Sequence, residues 1–251
     1  MIHLAVFSDL HVEKGPWSPP PLDADLVILA GDIGWGPEGV NWIAAHLAGR
    51  PTIYVAGNRE HWHHSPECDP RAALRRAAAQ VPNLHLLQDE RADFRFGGRN
   101  LRVLGTTLWT DFTLEGDAAG AMAAAEAAMP DYRNGRGAAG TRLTAREVAA
   151  WNRAAVEFLT SELTAPFSGP TLVVTHHAPA AASLRRRRPD HVPTTASVTC
   201  LEGLIAAHGP TLWVHGHTHW NCDYRLGATR ILANQRGEPE NTTFQPVIVS
   251  V

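Results

Sequence analysis

Short apolar runs recur along the chain, and five of them stop abruptly at a cluster of polar residues. These runs are rich in Val, Ile and Leu and show no alternation of polar and apolar positions, which is typical of strands buried on both faces. They cover residues 4–7, 26–29, 52–55, 172–174 and 212–214. Similar runs predict further strands at residues 101–105, 230–233 and 246–251.

Between these runs lie segments with a helical pattern. The pattern predicts helices at residues 40–48, 71–79, 145–163 and 197–208. The longest opens at Thr144, with Glu147 three residues later, the pattern of a capping box. Strands that alternate with helices predict an α/β fold in which ligands bind beyond the carboxyl ends of the strands. All five polar clusters lie at such ends.

One segment departs from this alternation. Residues 111–140 are rich in Ala and Gly, and we interpret them as an inserted helix and loop that cover the site. With 44% hydrophobic residues and no linker or repeat, the remaining chain predicts one domain over residues 1–251.

Charge and cysteine content restrict the classes of partner. The 22 basic and 25 acidic residues give no electrostatic case for binding nucleic acid or a membrane surface. No apolar stretch approaches the roughly 20 residues needed to span a bilayer, and the first strand begins without a signal-peptide pattern. Cys68, Cys200 and Cys222 lack the spacing of zinc or redox motifs. We therefore expect free thiols and a cytoplasmic protein.

The polar clusters at the strand ends contain the side chains that ligate metals. The candidate ligands are Asp9, His11, Asp32, Asn58, His176, His217 and His219. Carboxylate, amide oxygen and imidazole together suit Mn²⁺, Fe, Zn²⁺ or Mg²⁺ better than a soft metal. Seven ligands are too many for one tetrahedral ion, but they suffice for two ions that share a carboxylate.

The order of these motifs resembles a known family. Asp-x-His, Gly-Asp, Gly-Asn, His and Gly-His-x-His occur in the order typical of calcineurin-like metallophosphoesterases, and the resemblance extends to about residue 237. It implies a four-layer sandwich of two mixed β-sheets flanked by α-helices. It also implies hydrolysis of a phosphate ester by a hydroxide that bridges two divalent metal ions.

The resemblance also assigns the ligands. It implies that Asp32 bridges the two ions, and that His177 lies behind the ligands or faces the substrate. The implied ligands of the first ion are Asp9, His11 and His219, and those of the second are Asn58, His176 and His217.

Position 59 departs from the family pattern. Similar proteins carry a histidine there that acts as a general acid, whereas this chain has Arg59. Arginine does not give up a proton near neutral pH, but it can bind a phosphoryl oxygen. Either the acid is absent, which favours substrates with good leaving groups, or His61 or His177 supplies the proton. In a third reading Arg59 points away from the site.

Two further features border the site in the sequence. The run of arginines at residues 185–188 follows the His176 cluster and forms either a solvated loop or an approach for anions. Trp109 follows a predicted strand and either lines the pocket or packs in the core.

Several functions fit this pattern. The first is hydrolysis of small phosphodiesters or phosphomonoesters. The alternatives are a protein Ser/Thr phosphatase, a nuclease, and a non-catalytic metal-binding scaffold of the same fold. A nuclease would be expected to carry a broad basic surface, and scaffolds tend to lose ligands, whereas this chain keeps all seven. The pattern therefore favours a hydrolase of small phosphorylated substrates, and it indicates no oligomeric state.

Overall fold

The computed structural model describes residues 1–62, 69–184 and 194–251. Within these residues the chain forms two β-sheets. The strands are β1 (His3–Phe7), β2 (Leu26–Ala30), β3 (Thr52–Val55), β4 (Leu84–Leu87), β5 (Glu90–Phe96), β6 (Arg99–Thr106), β7 (Thr171–Thr175), β8 (Leu212–His215), β9 (Cys222–Leu226), β10 (Thr229–Ala233) and β11 (Val247–Ser250).

Both sheets are mixed. The first has the order β11-β1-β2-β3-β4, in which β11 is antiparallel to β1 and the other strands are parallel. The second has the order β5-β6-β7-β8-β10-β9, with antiparallel strands at its two edges. The helices are α1 (Glu38–His46), α2 (Pro70–Ala78), α3 (Ala118–Ala128), α4 (Asp131–Asn134), α5 (Ala145–Thr164) and α6 (Glu202–His208).

The burial of alternate strand residues explains the continuous apolar runs. Val6 and Ile28 belong to the core between the two sheets, whereas their neighbours Phe7 and Leu29 pack under α1 and α2. On the other side, α5 and α6 cover the second sheet. Both faces of each central strand are therefore buried, and the order helix, sheet, sheet, helix confirms the predicted four-layer α/β sandwich.

Only one of the two hydrogen bonds of the predicted capping box forms. The Thr144 hydroxyl accepts a hydrogen bond from the Glu147 amide at 3.2 Å, as the pattern predicts. The Glu147 carboxylate, however, accepts from the Ala138 amide at 2.7 Å. It therefore ties the start of α5 to the 111–140 segment instead of returning to the backbone of Thr144.

The predicted helix at residues 197–208 is too long. The structure begins α6 at Glu202, because Ala178 and Val198 pair as a parallel β-bridge and hold the preceding residues extended. The strands β4, β5 and β9 were also not predicted from the sequence. The edge strands β5 and β9 alternate between exposed and half-buried positions and carry charged residues.

Part of the cysteine and arginine content lies outside the described residues. Cys68 and the arginines at 185–188 lie outside the described ranges. Cys200 is exposed and Cys222 half-buried, and both are free thiols. Across the described ranges, no helix combines the length and apolarity that a bilayer crossing requires.

Candidate metal centre

The chain turns sharply where the central strands end. Five candidate ligands adopt positive φ angles between 48° and 66°: Asp9, His11, Asp32, His217 and His219. This conformation is uncommon outside glycine, and such strain, on the order of 1–3 kcal/mol per residue, is concentrated at functional sites. Hydrogen bonds between loops support it, since the Asp9 amide donates to Gly31 and the His11 amide to Asp32.

Two glycines allow the loops to approach each other. A side chain at Gly57 would overlap the carboxylate of Asp32, and one at Gly31 would overlap the ring of His176. Glycine at these positions lets the backbone pass directly behind two candidate ligands.

Asp9, His11 and His219 form one group of donor atoms, which we name the open group because the His219 side chain is 31% exposed. The His11 Nδ1–H donates to a Glu13 carboxylate oxygen at 3.2 Å, so the Nε2 of the neutral ring carries a lone pair. The His219 Nδ1 lies 3.7 Å from Glu238, which favours the same tautomer. The two Nε2 atoms face each other at 3.2 Å, so both could ligate a cation placed between them.

Asn58, His176 and His217 form a second group, which we name the closed group because all three are buried. The His176 Nδ1–H donates to the Ala30 carbonyl at 2.8 Å, so its Nε2 carries the lone pair. That atom lies 2.9 Å from the amide oxygen of Asn58, which also lies 2.9 Å from the His217 Nδ1. The Asn58 amide nitrogen donates to Asp131 at 2.6 Å, which fixes the amide oxygen toward the histidines.

Asp32 lies between the two groups. Its Oδ1 is 3.4 Å from the Nε2 of His176, and its Oδ2 is 3.8 Å from the Nε2 of His11. The Oδ1 also accepts a hydrogen bond from the Arg59 amide at 2.8 Å, which fixes the rotation of the carboxylate. The donor set therefore fits divalent cations, because imidazole, carboxylate and amide-oxygen atoms converge on both sides of one carboxylate.

Histidines and carboxylates also shift each other's pKa within the cluster. Burial alone would raise the pKa of Asp9, but contact with His219 and the charges of His176 and His11 lower it. Burial alone would lower the pKa of His176, but the charges of Asp32 and Asp9 raise it. Both shifts show that the site attracts positive charge.

Glu60 supports the loops of the candidate site and was not predicted from the sequence. Its buried carboxylate accepts hydrogen bonds from the amides of Asp32 (3.1 Å), Ile33 (2.9 Å) and Gly57 (2.7 Å), and from the Tyr54 hydroxyl. Burial and the charge of Asp32 raise its pKa to about 7. Glu60 thus joins the loops after β2 and β3. The sequence feature that could have identified Glu60 is its position directly after the Gly-Asn-Arg motif.

The Arg59 side chain lies beside the cluster. Its Nε is 4.0 Å from the Oδ2 of Asp32, and its guanidinium lies 3.9 Å from the centre of the Trp62 ring. The Trp62 indole N–H donates to Asp131 at 3.2 Å. The Arg59 guanidinium therefore lies over an aromatic ring, with its Nε near the Asp32 carboxylate.

His177 is buried against the closed group. Its ring stacks on His217 with 4.1 Å between centroids, and its Nδ1–H donates to the Thr107 carbonyl at 3.3 Å. Burial and the neighbouring His176 hold the pKa of His177 well below its usual value. The ring is therefore neutral, and its Nε2 carries a lone pair.

His61 lies further from the donor atoms, between the rings of Trp109 and Trp151 at 5.0 and 5.2 Å. Its Nδ1 faces the Arg136 carbonyl at 3.4 Å. Burial and the charge of Arg71 lower its pKa to about 3. This position does not suit a general acid, because the ring is neutral near neutral pH and its remaining N–H is a very weak acid.

His215, which ends β8, packs beneath the ligands. Its Nδ1–H donates to the Gly216 carbonyl at 3.0 Å, and the Cys222 thiol lies 3.6 Å from its Nε2. Burial lowers its pKa to about 4.

The 111–140 segment supplies one wall beside the closed group. Asp131 and Tyr132 of this segment line a cavity of about 10 Å³ together with Trp109, His177 and His217. This volume admits about one water molecule. The segment thus lies against the site, and its action as a cover stays a prediction.

The Asn-Gln-Arg-Gly segment at residues 234–237, directly after β10, supports the open group. The Gln235 side chain accepts from the His219 amide at 2.7 Å and donates to Thr218 at 3.0 Å. The Arg236 guanidinium donates to the carbonyls of Leu10 and Gly15, both at 2.9 Å. These contacts tie the loop that follows β10 to the loops that carry His11 and His219.

Known structures share this architecture. The phosphopantetheinyl hydrolase of Mycobacterium tuberculosis matches with a TM-score of 0.72 and 19% identity, over 97% of this chain and 95% of that one. The TT1561 protein of Thermus thermophilus matches with a TM-score of 0.50 and 14% identity, over 99% and 98% of the two chains. The anchor protein GAP50 of the inner membrane complex of Plasmodium matches with a TM-score of 0.51 and 10% identity, over 94% of this chain and 72% of that one. At these identities the likeness shows the fold.

Sequence comparison identifies the family. No curated protein matches the chain significantly. The family model described as calcineurin-like phosphoesterase matches residues 2–221, which include all seven candidate ligands. On this match, the chain belongs to the calcineurin-like phosphoesterase family.

Proposed function

We propose that the chain is a hydrolase that holds two divalent cations and cleaves phosphodiester or phosphomonoester bonds of small molecules. The observation that carries this proposal is the pair of converging ligand groups, His11 with His219 and His176 with Asn58, on the two sides of Asp32. Two separate places that suit a cation, joined by one carboxylate, support a dinuclear site better than a single ion.

The ligand assignment follows the two groups. The open group of Asp9, His11 and His219 would hold one ion, the closed group would hold the other, and Asp32 would contact both. Mixed nitrogen and oxygen donors suit Mn²⁺, Fe or Zn²⁺, with Mg²⁺ a weaker match. Bound cations would supply an activated water and neutralise charge on the phosphoryl group.

Arg59 would bind a phosphoryl oxygen. Its guanidinium is fixed on Trp62 and lies near Asp32, so little conformational freedom is lost when an anion binds. A pre-positioned cation of this kind stabilises charge that develops in the transition state.

The protonation states argue for an active site without a general acid. His177 donates its Nδ1–H to a carbonyl and is neutral, and His61 is neutral and lies behind Trp109. A neutral imidazole is a very weak acid, so neither ring is suited to protonate a leaving oxygen. We therefore infer that the enzyme acts on esters whose leaving group departs readily as an anion.

A substrate screen tests the function. Protein reconstituted with Mn²⁺ should be assayed against cyclic nucleotides, other phosphodiesters, phosphomonoesters and phosphopeptides. Phosphopantetheinyl conjugates belong in the panel, because one similar structure is a phosphopantetheinyl hydrolase. We expect turnover of a small ester that is lost on chelation and restored by Mn²⁺. Turnover of phosphopeptides alone would favour the protein phosphatase alternative, and no turnover of any ester would favour a scaffold.

A further inference from the structure

Asp131 belongs to the 111–140 segment, outside every motif that carries the family resemblance. It is 6% exposed, and both hydrogen bonds recorded for its carboxylate are accepted by the same oxygen, Oδ1. One comes from the side-chain amide of Asn58 at 2.6 Å, and the other from the indole of Trp62 at 3.2 Å. A buried carboxylate that accepts two hydrogen bonds fixes both donors in place.

The first donor matters for metal binding. An asparagine amide has a donor end and an acceptor end, and rotation by half a turn exchanges them. A carboxylate only accepts, so Asp131 selects the orientation in which the oxygen of Asn58 faces His176 and His217. In the reverse orientation the amide N–H groups would face the position of the cation.

The second donor matters for the substrate anion. Trp62 is the surface on which the Arg59 guanidinium lies, at 3.9 Å from the ring centre. The indole N–H bond to Asp131 fixes the tilt of that ring. One oxygen atom therefore orients a ligand of the closed group and the platform of the anion-binding arginine.

We propose that Asp131 is a positioning residue that orients Asn58 toward the second cation and holds Trp62 under Arg59. This inference rests on the proposed function, but its main test does not require turnover. Residues that orient metal ligands typically change metal affinity by about 10–100-fold when they are removed.

The test measures Mn²⁺ binding to the purified full chain by competition with a chelator. We expect Asp131→Ala to weaken one of the two ions by about 10–100-fold, and Asp131→Asn, which keeps an acceptor oxygen, to restore most of the affinity. Arg142→Ala is the matched control, because Arg142 anchors the same helix through the Tyr132 carbonyl at 2.7 Å without contacting Asn58. A merely structural role would weaken Mn²⁺ binding equally in Asp131→Ala and Arg142→Ala.

A double variant isolates the Asn58 contact. In an Asn58→Ala background the further change Asp131→Ala should leave Mn²⁺ affinity unaltered, because the amide it orients is gone. With a substrate, Asp131→Ala should also raise KM through the Arg59 platform, whereas Asp131→Asn should not. Full additivity of the two changes would overturn the inference.

Wild-type protein offers a measurement that does not depend on the stability of any Asp131 variant. The side-chain amide signals of Asn58, assigned by their loss in Asn58→Asp, should show one low-field proton that exchanges slowly with solvent. A rapidly exchanging pair would overturn the inference. If instead the wild type binds two ions and shows the slowly exchanging Asn58 proton but cleaves no ester, the proposed function fails and the role of Asp131 stands.

Discussion

The two groups of donor atoms each contain two histidines, but they lie in different surroundings. In the open group the carboxylates of Glu13 and Glu238 stand behind the histidines, and His219 is 31% exposed. The closed group has fully buried His176, with His177 and the 111–140 segment as its wall. An ion in the open group would be more exposed to solvent than an ion in the closed group.

This difference shows how one fold can place two unlike candidate metal sites side by side. The carboxylates of Glu13 and Glu238 support the histidines of the open group, and such charged contacts persist when water is nearby. The closed group is supported by an amide with a fixed orientation and by neutral rings, and these depend on tight packing. We therefore expect changes in packing to affect the closed group and changes in charge to affect the open group.

The largest effect should come from the residue that joins the groups. Asp32→Asn removes the charge that both cations share, so at least one ion should be lost, and turnover should fall by about 10³-fold or more. Elemental analysis after reconstitution and the rate on the best substrate measure both effects. Asp93→Asn, on an outer edge strand, is the matched control. If Asp32→Asn kept two ions at wild-type affinity, the comparison of two joined groups would fail.

A smaller effect is expected at Arg59, which lies on the border between the groups. Arg59→Ala should reduce kcat/KM by about 10²-fold, because the guanidinium stabilises developing charge. Without a general acid the rate should depend steeply on the pKa of the leaving group, with nitrophenyl diesters cleaved well and alkyl esters poorly. Arg59→His should flatten this dependence by supplying a proton.

A leaving-group series measured where chemistry limits the rate decides the point. Equal rates for alkyl and aryl esters in the wild type would show that another residue donates the proton. His177 would then be the first candidate to replace, since it lies against the closed group.

Acid should destabilise the closed side through its buried neutral histidines. The pKa of His61 is about 3 in the folded chain against a usual value of 6.5. The unfolded chain therefore binds more protons in this range, and the stability that His61 contributes is present above pH 6.5 and is lost as the pH falls toward 3. Between pH 7 and pH 5 this amounts to about 2 kcal/mol of unfolding free energy.

Denaturant unfolding at the two pH values measures this loss. His61→Phe should reduce the loss, and His208→Phe, at an exposed position, should not. An equal loss in all three proteins would mean that the acid sensitivity arises elsewhere.

The smallest effect concerns the charge behind the open group. Glu13 accepts the Nδ1–H of His11 and thereby keeps the Nε2 lone pair directed at the cation. Glu13→Gln preserves an acceptor but removes the charge, so it should weaken one Mn²⁺ by about tenfold. The other ion should bind as in the wild type. Chelator competition measures both, and an equal loss of the two ions would erase the distinction between the groups.

The sequence predicted well those strands, helices and strand ends that depend on a local pattern of residues. Apolar runs such as residues 26–29 end at ligands because parallel strands present their carboxyl ends at one edge, and the structure brings all five ends together. The helix over residues 145–163 was also placed within one residue of α5. Burial on both faces and helical periodicity are properties of consecutive residues, so they can be read without knowing the fold.

What the sequence could not predict depends on contacts between distant segments. Asn58 and Asp131 are 73 residues apart, and no local pattern links an amide to a carboxylate in an inserted segment. The residues before α6 formed a helix in the prediction because their pairing with the chain after β7 is not local. His61 had the right residue type for an acid, but only the structure shows that aromatic rings enclose it.

The left-handed backbone at the ligands has a consequence for protein engineering. At His11, His217 and His219 the chain carries a bulky residue in a conformation that glycine adopts without strain. Glycine at these three positions would relieve steric strain and at the same time remove three metal-binding groups. Selection for heat resistance of the metal-free protein would therefore act against these candidate ligands wherever the relief of strain exceeds the entropic cost of glycine. A directed-evolution experiment on this scaffold should screen turnover and thermal tolerance together.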